Sequence, residues 1–322
     1  MPFFTQDTKS AYDARSEAMR ISFGPVVFQS ARVLRNSGIL ETLEKASPAG
    51  LPMAEVVERV GLPPYGVRVL LESGLSIGLV TLAEGRFRIT KTGHFLLHDE
   101  LTRVNMDFVH DVCYRGFFFL DKSVETGRPE GLKEFGDWNT IYEGLSQLPL
   151  QVQKSWFGFD HFFSDRVFPS VLPLVFKNPP RHLLDVGGNT GKWAIACTGY
   201  NSDVTVTIMD LPGQLSVAQE KIEALGVCGR VSFFEANLLD KTQTFPTGHD
   251  AIWMSQFLDC FSEVEIVSIL KRCYDALDDK GQLFILEAFW DRQPVEVAAF
   301  CLHHTSLYFT AIANGNSQMY HS

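Results

Sequence analysis

The segment Leu183–Gly191 (Leu-Leu-Asp-Val-Gly-Gly-Asn-Thr-Gly) constrains the possible folds of this chain more than any other segment. It is an apolar run that ends in three glycines, Gly187, Gly188 and Gly191, and a helical pattern begins near Lys192. Glycines at such a turn let the backbone bend sharply and approach a ligand closely. The segment therefore predicts a strand, a ligand-binding loop and the start of a helix in an α/β domain.

Strand-like and helical patterns alternate after this loop. The predicted strands are 182–186, 204–209, 231–235, 251–254 and 283–287, and the predicted helices are 191–199, 213–226 and 263–278. Such alternation predicts a parallel sheet covered on both faces, with ligands bound at the carboxyl ends of the strands.

Asp210 ends the second predicted strand, where a carboxylate can accept hydrogen bonds from both ribose hydroxyls of an adenosine. A dinucleotide-binding Gly-x-Gly-x-x-Gly motif starting at Gly187 would need glycine at positions 189 and 192, which are Asn189 and Lys192. The spacing therefore excludes a nicotinamide or flavin dinucleotide. It leaves another adenosine-containing ligand as the expectation.

The first hundred residues predict a winged helix. Helical periodicity over 21–46 is followed by a short helix that begins after Leu51, a second helix over 64–78, and two short strands around the turn 83–85. Winged helices often bind DNA, but acidic residues are interleaved with the arginines here. The formal net charge of the chain is also −10, so nucleic acid is an unlikely partner.

Other classes of protein are disfavoured by the composition. The six cysteines are scattered without a Cys-x-x-Cys pair, which indicates reduced thiols and no zinc site; no other metal site is expected. No signal peptide and no apolar run of about 18–20 residues is evident, so we expect a soluble, cytoplasmic protein without a membrane contact.

The chain resembles the S-adenosylmethionine (SAM)-dependent O-methyltransferases related to plant caffeate and bacterial polyketide O-methyltransferases. The resemblance depends on Leu183–Gly191, Asp210-Leu-Pro212 and Arg230–Phe233. It implies a winged-helix dimerisation domain (1–104), a helical connector that forms part of the acceptor pocket (105–178), and a Rossmann-like class I SAM-binding domain (179–322). It also implies a homodimer, and S-adenosylhomocysteine (SAH) as the product of the cofactor.

The resemblance further implies which residues hold the cofactor. Three glycines are expected against its amino-acid portion, one aspartate at its ribose and five further residues around them. The expected set is Gly187, Gly188, Gly191, Asp210, Leu211, Asn237, Leu238, Asp185 and Ser255. Within the set, Leu211 and Leu238 are expected to pack on the adenine, and Asn237 to face its amino group.

The catalytic residues depart from the family pattern. Asp259 stands where the family has its histidine base, Glu287 matches one of the two glutamates that orient this base, and Gln318 falls near the other. A free aspartate, with a pKa of about 3.9, is a poor base, but burial beside Glu287 would raise one of the two pKa values. Alternatively, Asp259 caps the helix that begins near Ser262. His303 is a further candidate base, as are His161 and His304.

The expected function is methyl transfer from SAM to a hydroxyl of a small aromatic or polyketide-like molecule. The aromatic run 156–163 predicts a flat, apolar acceptor. Two alternatives stay open: a SAM-binding relative of the hydroxylase or decarboxylase kind that has lost methyl transfer, and a winged-helix regulator that senses SAM. Because family members continue past this point with a helix and two antiparallel strands, we expect either that the sequence is cut short or that the C-terminal edge strands are absent.

Overall fold

The computed structural model describes residues 3–226 and 228–322, which form two compact units. The first unit ends at Asp107 and the second comprises Phe108–Ser322, so the division lies close to the predicted one at 104. The second unit also takes in nearly all of the predicted connector, 105–178. The physical reason is a shared core: the Trp156 indole, for example, donates a hydrogen bond of 2.7 Å to the Tyr308 hydroxyl.

The first unit consists of short helices and one antiparallel hairpin. Its elements are α1 (Ala11–Ser22), α2 (Gly24–Asn36), α3 (Ile39–Lys45), α4 (Met53–Val60), α5 (Pro64–Ser76), β1 (Val80–Ala83), β2 (Arg86–Ile89) and α6 (Lys91–His98), and α7 (Glu100–Phe108) follows. The segment 21–46, for which helical periodicity was predicted, is thus divided among the three helices α1, α2 and α3. The hairpin turns at the predicted place, where Glu84 and Gly85 both have positive φ angles.

The core of the first unit is aliphatic, and Leu34, Leu40 and Leu71 are fully buried in it. On its surface, His94 and His98 on α6 each lie 2.6 Å from a carboxylate oxygen of Glu44 on α3. Helix α1 contributes no buried side chain to this core.

The second unit is built on a five-stranded, fully parallel sheet. Its strands are β3 (His182–Val186), β4 (Thr205–Asp210), β5 (Val231–Glu235), β6 (Ala251–Ser255) and β7 (Gln282–Leu286). Every strand predicted from the sequence is present to within one residue at each end. The spatial order is β5-β4-β3-β6-β7, so the direction of strand progression reverses between β3 and β6. In open α/β sheets, ligands bind outside the carboxyl ends of the strands at this reversal.

The helices of the second unit precede the sheet in sequence, connect its strands or follow its last strand. They are α8 (Leu120–Thr126), α9 (Ile141–Gly144), α10 (Leu150–Asp165), α11 (Phe168–Val175), α12 (Lys192–Tyr200), α13 (Pro212–Ala224), α14 (Glu263–Ala276) and α15 (Glu296–Tyr308). The predicted parallel sheet covered by helices, preceded by a mostly helical unit, is confirmed. None of the helices in the described residues has both the length and the apolarity that crossing a membrane requires.

Candidate functional site

Two adjoining cavities open at the carboxyl edge of the sheet in the second unit. The larger encloses about 1310 Å³ of empty space, part of it open to solvent, and the smaller encloses about 360 Å³. Asp160, Asn189 and Gln256 line both, so these three residues mark the junction between the cavities. Nine of the residues that line the larger cavity are aromatic, and they are Phe108, Tyr142, Trp156, Phe159, Phe163, Phe257, Phe261, Tyr308 and Phe309.

Asp210 lies in the larger cavity at the end of β4. Its two carboxylate oxygens accept backbone hydrogen bonds from Asn189 (2.8 Å) and Leu211 (2.7 Å). Burial raises the pKa of Asp210 to about 6. Because a carboxylate has roughly four lone-pair positions, two backbone donors leave it able to accept further hydrogen bonds from a ligand.

Leu211, Asn237 and Leu238 line the same cavity as Asp210. The segment after β5 that carries the last two is tied down by Arg272 on α14, whose guanidinium donates to the carbonyl oxygen of Leu238 at 2.7 Å. The same guanidinium also donates to the carbonyl oxygens of Asp240 and Gln243, at 3.0 and 2.9 Å. Sequence reasoning missed Arg272 because these contacts join segments about thirty residues apart.

The smaller cavity is surrounded by polar atoms that have no partner. Asp185 Oδ2, Asn189 Oδ1, Ser255 Oγ and Trp193 Nε1 are buried without a hydrogen bond, and all four residues line this cavity. Burial and the charge of Asp210 raise the pKa of Asp185 well above its usual value. Buried polar atoms nearly always have partners, so this set is suited to bind a polar ligand. Three of the atoms can accept from an ammonium group, and the indole N–H can donate to a carboxylate.

The three loop glycines have different surroundings. A Cβ on Gly187 would lie 2.1 Å from the Phe257 ring, and one on Gly191 would lie 3.0 Å from Ile222, so both positions are required for close packing. Gly188 alone of the three lines a cavity. Contact of Gly187 and Gly191 with a cofactor stays a prediction.

The junction between the cavities carries backbone strain. Asn189 has φ +50°, which agrees with the tolerance of asparagine for left-handed angles that the loop requires. Gln256, directly after β6, has φ +49° without being glycine or asparagine. Strained positions of this kind cluster at functional sites. No sequence pattern pointed to Gln256 as a site residue.

Asp259 lines the larger cavity, with 9% of its surface exposed. It does not cap helix α14: Ser262 is the N-cap and forms a capping box with Glu265. Burial raises the pKa of Asp259 to about 6. The Cys260 thiol lies 3.5 Å from one of its carboxylate oxygens. Asp259 is therefore a carboxyl group that titrates near neutral pH at an aromatic-walled cavity.

Glu287 directly follows β7 and contacts the segment just ahead of Asp259. One of its carboxylate oxygens accepts from the backbone N–H groups of Phe257 (2.9 Å) and Leu258 (2.7 Å), just ahead of Asp259. Burial and the charge of Asp259 raise its pKa well above the usual value. Glu287 is not among the described residues that line either cavity. It thus holds the loop that carries Asp259, and its direct role in catalysis stays a prediction.

His303 is not among the described residues that line the larger cavity, and its role as a base stays a prediction. On α15 the lining residues are Leu302, Thr305 and Tyr308, at helical spacing on one face. His303 is rotated by about 100° from Leu302, and its ring packs against Trp290 with centroids 4.6 Å apart. His304 packs on Phe300 in the same way and lines neither described cavity.

Asp160 and His161 reach the glycine loop from α10. Asp160 accepts a hydrogen bond of 2.9 Å from the Asn189 side chain, and His161 lies 3.2 Å from the Thr190 hydroxyl. Burial and the charge of Asp259 raise the pKa of Asp160 to about 7, whereas burial and Lys192 lower the pKa of His161 to about 4. Sequence reasoning missed Asp160, although the aromatic run around it signalled a helix that covers the acceptor.

We expect Asp160→Asn to stabilise the cofactor-free protein much more at pH 8 than at pH 5. The folded-state pKa of Asp160 is raised, so folding favours the protonated, neutral form of its carboxyl group. The neutral form contributes stability at low pH, and this contribution is lost as the pH rises from about 4 to about 7. Asparagine stays neutral throughout. Its expected advantage is on the order of 2 kcal/mol at pH 8, measured as the free energy of urea unfolding at both pH values. The exposed change Asp275→Asn is the control, and an equal effect of Asp160→Asn at the two pH values would refute this expectation.

Comparisons with known proteins agree with this arrangement. Residues 15–87 match the model of a Dimerisation2-like domain, and residues 168–321 match that of an O-methyltransferase domain. The chain is 24% identical over 307 residues to an L-tyrosine C(3)-methyltransferase from Streptomyces lavendulae, covering 93% of this chain and 81% of that protein. It is 27% identical to a 3-hydroxy-5-methyl-1-naphthoate 3-O-methyltransferase from Streptomyces sahachiroi, covering 83% of this chain and 76% of that one.

A solved structure has the same fold. It is that of the SAM-dependent methyltransferase SibL in its apo form, with a TM-score of 0.70 and 25% identity, covering 95% of this chain and 89% of that one. The two matched domains, in this order, and the relatives that span most of the chain identify its class. The chain therefore carries a Dimerisation2-like domain ahead of an O-methyltransferase domain, as the two matched models describe them.

Proposed function

We propose that this chain transfers the methyl group of SAM to a phenolic hydroxyl of a small, flat aromatic molecule, with Asp259 as the base. One observation carries the proposal: a carboxyl group with a pKa of about 6 lines the same aromatic-walled cavity as Asp210. The naphthoate O-methyltransferase among the relatives acts on a molecule of this shape, as its name states.

The residues present fit the cofactor. Asp210 would accept hydrogen bonds from the ribose hydroxyls, and the apolar side chains of Leu211 and Leu238 offer a site for the adenine. The unpartnered atoms around the smaller cavity would hold the zwitterionic amino-acid portion. In particular, Asp185 and Ser255 would accept from its ammonium group and Trp193 would donate to its carboxylate.

Bound SAM supplies an electrophilic methyl group, and the residues of the chain prepare the acceptor for it. The aromatic walls hold the ring in place and keep water away from the reacting oxygen. Asp259 accepts the phenolic proton as that oxygen attacks, a role for which a pKa near the working pH is suited. Glu287 positions Asp259 by binding the backbone of the two preceding residues.

The test is formation of SAH when the protein is incubated with SAM and 2-naphthol, followed by chromatography. We expect SAH and methyl naphthyl ether in equal amounts. Binding of SAH by the protein without turnover of this acceptor or of a panel of polycyclic phenols would contradict the proposal.

A second candidate acceptor atom is the ring carbon beside a phenolic hydroxyl. The relative named as an L-tyrosine C(3)-methyltransferase favours it, since that name describes methylation of carbon. The same base would serve, because removal of the phenolic proton also raises the nucleophilicity of the neighbouring ring carbon. The two candidates are distinguished by whether the product is an ether or a methylated phenol.

We also propose that the first unit pairs two copies of the chain. Its match to a Dimerisation2-like domain supports this, as does a set of exposed apolar side chains on α1 and the start of α2: Tyr12, Met19, Ile21, Phe23 and Val26. Light scattering should give about twice the chain mass of 36.1 kDa. We expect Ile21→Glu with Val26→Glu to reduce it to the mass of one chain, and an unchanged dimer in this double variant would place the interface elsewhere.

A further inference from the structure

Two histidines and a glutamate converge on the surface of the first unit. His94 and His98 are four residues apart on α6 and therefore lie on one face of this helix, and Glu44 lies on α3. His94 Nδ1 is 2.6 Å from Oε1 of Glu44, and His98 Nε2 is 2.6 Å from Oε2. The three residues thus offer one ligand atom each, and these atoms lie within 4.8 Å of one another. Within 3–226 and 228–322, no other three histidine, cysteine, aspartate or glutamate side chains meet in this way.

The backbone positions of the three residues are fixed by the buried faces of their helices. Leu40 on α3 and Leu96 on α6 are both buried in the core of the first unit. Gly93 precedes His94 directly, and a Cβ on it would lie 2.5 Å from the carbonyl oxygen of Leu79, so α6 is held close to its neighbours. The polar ends remain accessible, because 53% of each histidine side chain is exposed. Such a set loses little conformational freedom when an ion binds.

The chemistry of the three ligand atoms suits zinc. Two imidazole nitrogens and one carboxylate oxygen form a ligand set found in zinc sites whose fourth position holds water. Bonds of about 2.0–2.2 Å in a tetrahedral site place ligand atoms about 3.3 Å apart. The separations in this set, from 2.6 Å to at most 4.8 Å, bracket that value. Magnesium and calcium prefer sites made of oxygen atoms, so two imidazoles disfavour them.

We propose that Glu44, His94 and His98 bind a zinc ion that joins α3 to α6, with water in the fourth position. The ion would take the place of the two protons that the histidines share with the carboxylate. Each imidazole would then coordinate through the nitrogen that now contacts Glu44 and keep its proton on the other ring nitrogen. The inference does not depend on the proposed methyl transfer. The sequence gave no sign of this site, because Glu44 stands fifty residues ahead of His94.

The test is calorimetric titration of the full chain with zinc chloride, after treatment with a chelator and in the presence of excess magnesium. We expect one zinc ion per chain, with a dissociation constant of about 10 µM or lower. Magnesium alone should give no saturable binding. The absence of saturable zinc binding, or its suppression by magnesium, would overturn the inference.

Variants assign the ion to this site. His98→Gln and Glu44→Gln each remove one ligand and keep a polar side chain of similar size at the surface, and each should weaken zinc binding by at least about tenfold. His182→Gln is the matched control, since His182 is an exposed histidine of the second unit. Zinc should raise the temperature of thermal unfolding in the wild type and in this control, but much less in the two ligand variants. Wild-type zinc affinity in both ligand variants would overturn the assignment.

Discussion

Asp210→Ala is expected to lower the affinity of the protein for SAH by at least about a hundredfold. The carboxylate is expected to accept two hydrogen bonds from ribose hydroxyls, and a hydrogen bond to a charged group contributes about 1.5–3 kcal/mol. Since about 1.4 kcal/mol corresponds to a factor of ten, the loss of two such bonds gives a hundredfold change or more. Isothermal calorimetry with SAH measures the effect directly and needs no acceptor.

A structural effect of this substitution has to be separated from loss of the ligand contact. Asp210 also accepts from the backbone of Asn189 and Leu211, so alanine removes two acceptors of buried N–H groups. Glu235→Ala is the matched control because Glu235 ends the neighbouring strand opposite Asp210, but is exposed and lines neither described cavity. If Asp210→Ala keeps the thermal stability of the control and still binds SAH as well as the wild type, the ribose assignment is wrong.

Asp259→Asn is expected to reduce kcat by about a hundredfold or more while leaving the affinity for SAM nearly unchanged. General base catalysis contributes roughly 10²–10⁴-fold, and an amide cannot accept the phenolic proton. The pKa of about 6 also predicts that the activity of the wild type falls as the pH drops below 6, where Asp259 becomes protonated. In Asp259→Asn this fall should disappear, which a pH profile of kcat detects.

Glu287→Gln provides the contrast with Asp259→Asn. Glutamine keeps the size of the Glu287 side chain, and its amide oxygen can still accept from Phe257 and Leu258. We therefore expect only a few-fold change in kcat. A loss in Glu287→Gln as large as that in Asp259→Asn would assign the base role to the pair or to Glu287. If Asp259→Asn keeps full activity, the reaction needs no base, and the positioning of acceptor and SAM alone accounts for the rate.

The parts of the site that the sequence predicted are those set by local patterns. The five strands follow from short apolar runs between turns, and Asp210 follows from its position at the end of one of them. The positive φ of Asn189 was also predictable, since a loop with glycines on both sides needs such an angle and asparagine tolerates it.

The parts that were missed depend on packing between distant segments. Asp160 and Tyr142 come from helices ahead of the sheet, and nothing in their local sequence states that they meet residues near 259. The position of His303 has a different cause. Its helix was predicted, but the rotation of about 100° between neighbouring helical residues places its ring against Trp290, whereas Leu302 lines the cavity. Glu287 was found by resemblance, but its role as an acceptor for backbone N–H groups appears only in the folded chain.

The position at which the methyl group arrives tests the proposed methyl transfer most directly. The protein is incubated with 2-naphthol and with SAM that is labelled with ¹³C at the methyl group, and the product is followed by NMR. We expect the label on the phenolic oxygen as an aryl methyl ether, formed at a rate that falls about a hundredfold in Asp259→Asn. Intact labelled SAM after prolonged incubation with protein that binds SAH would contradict it.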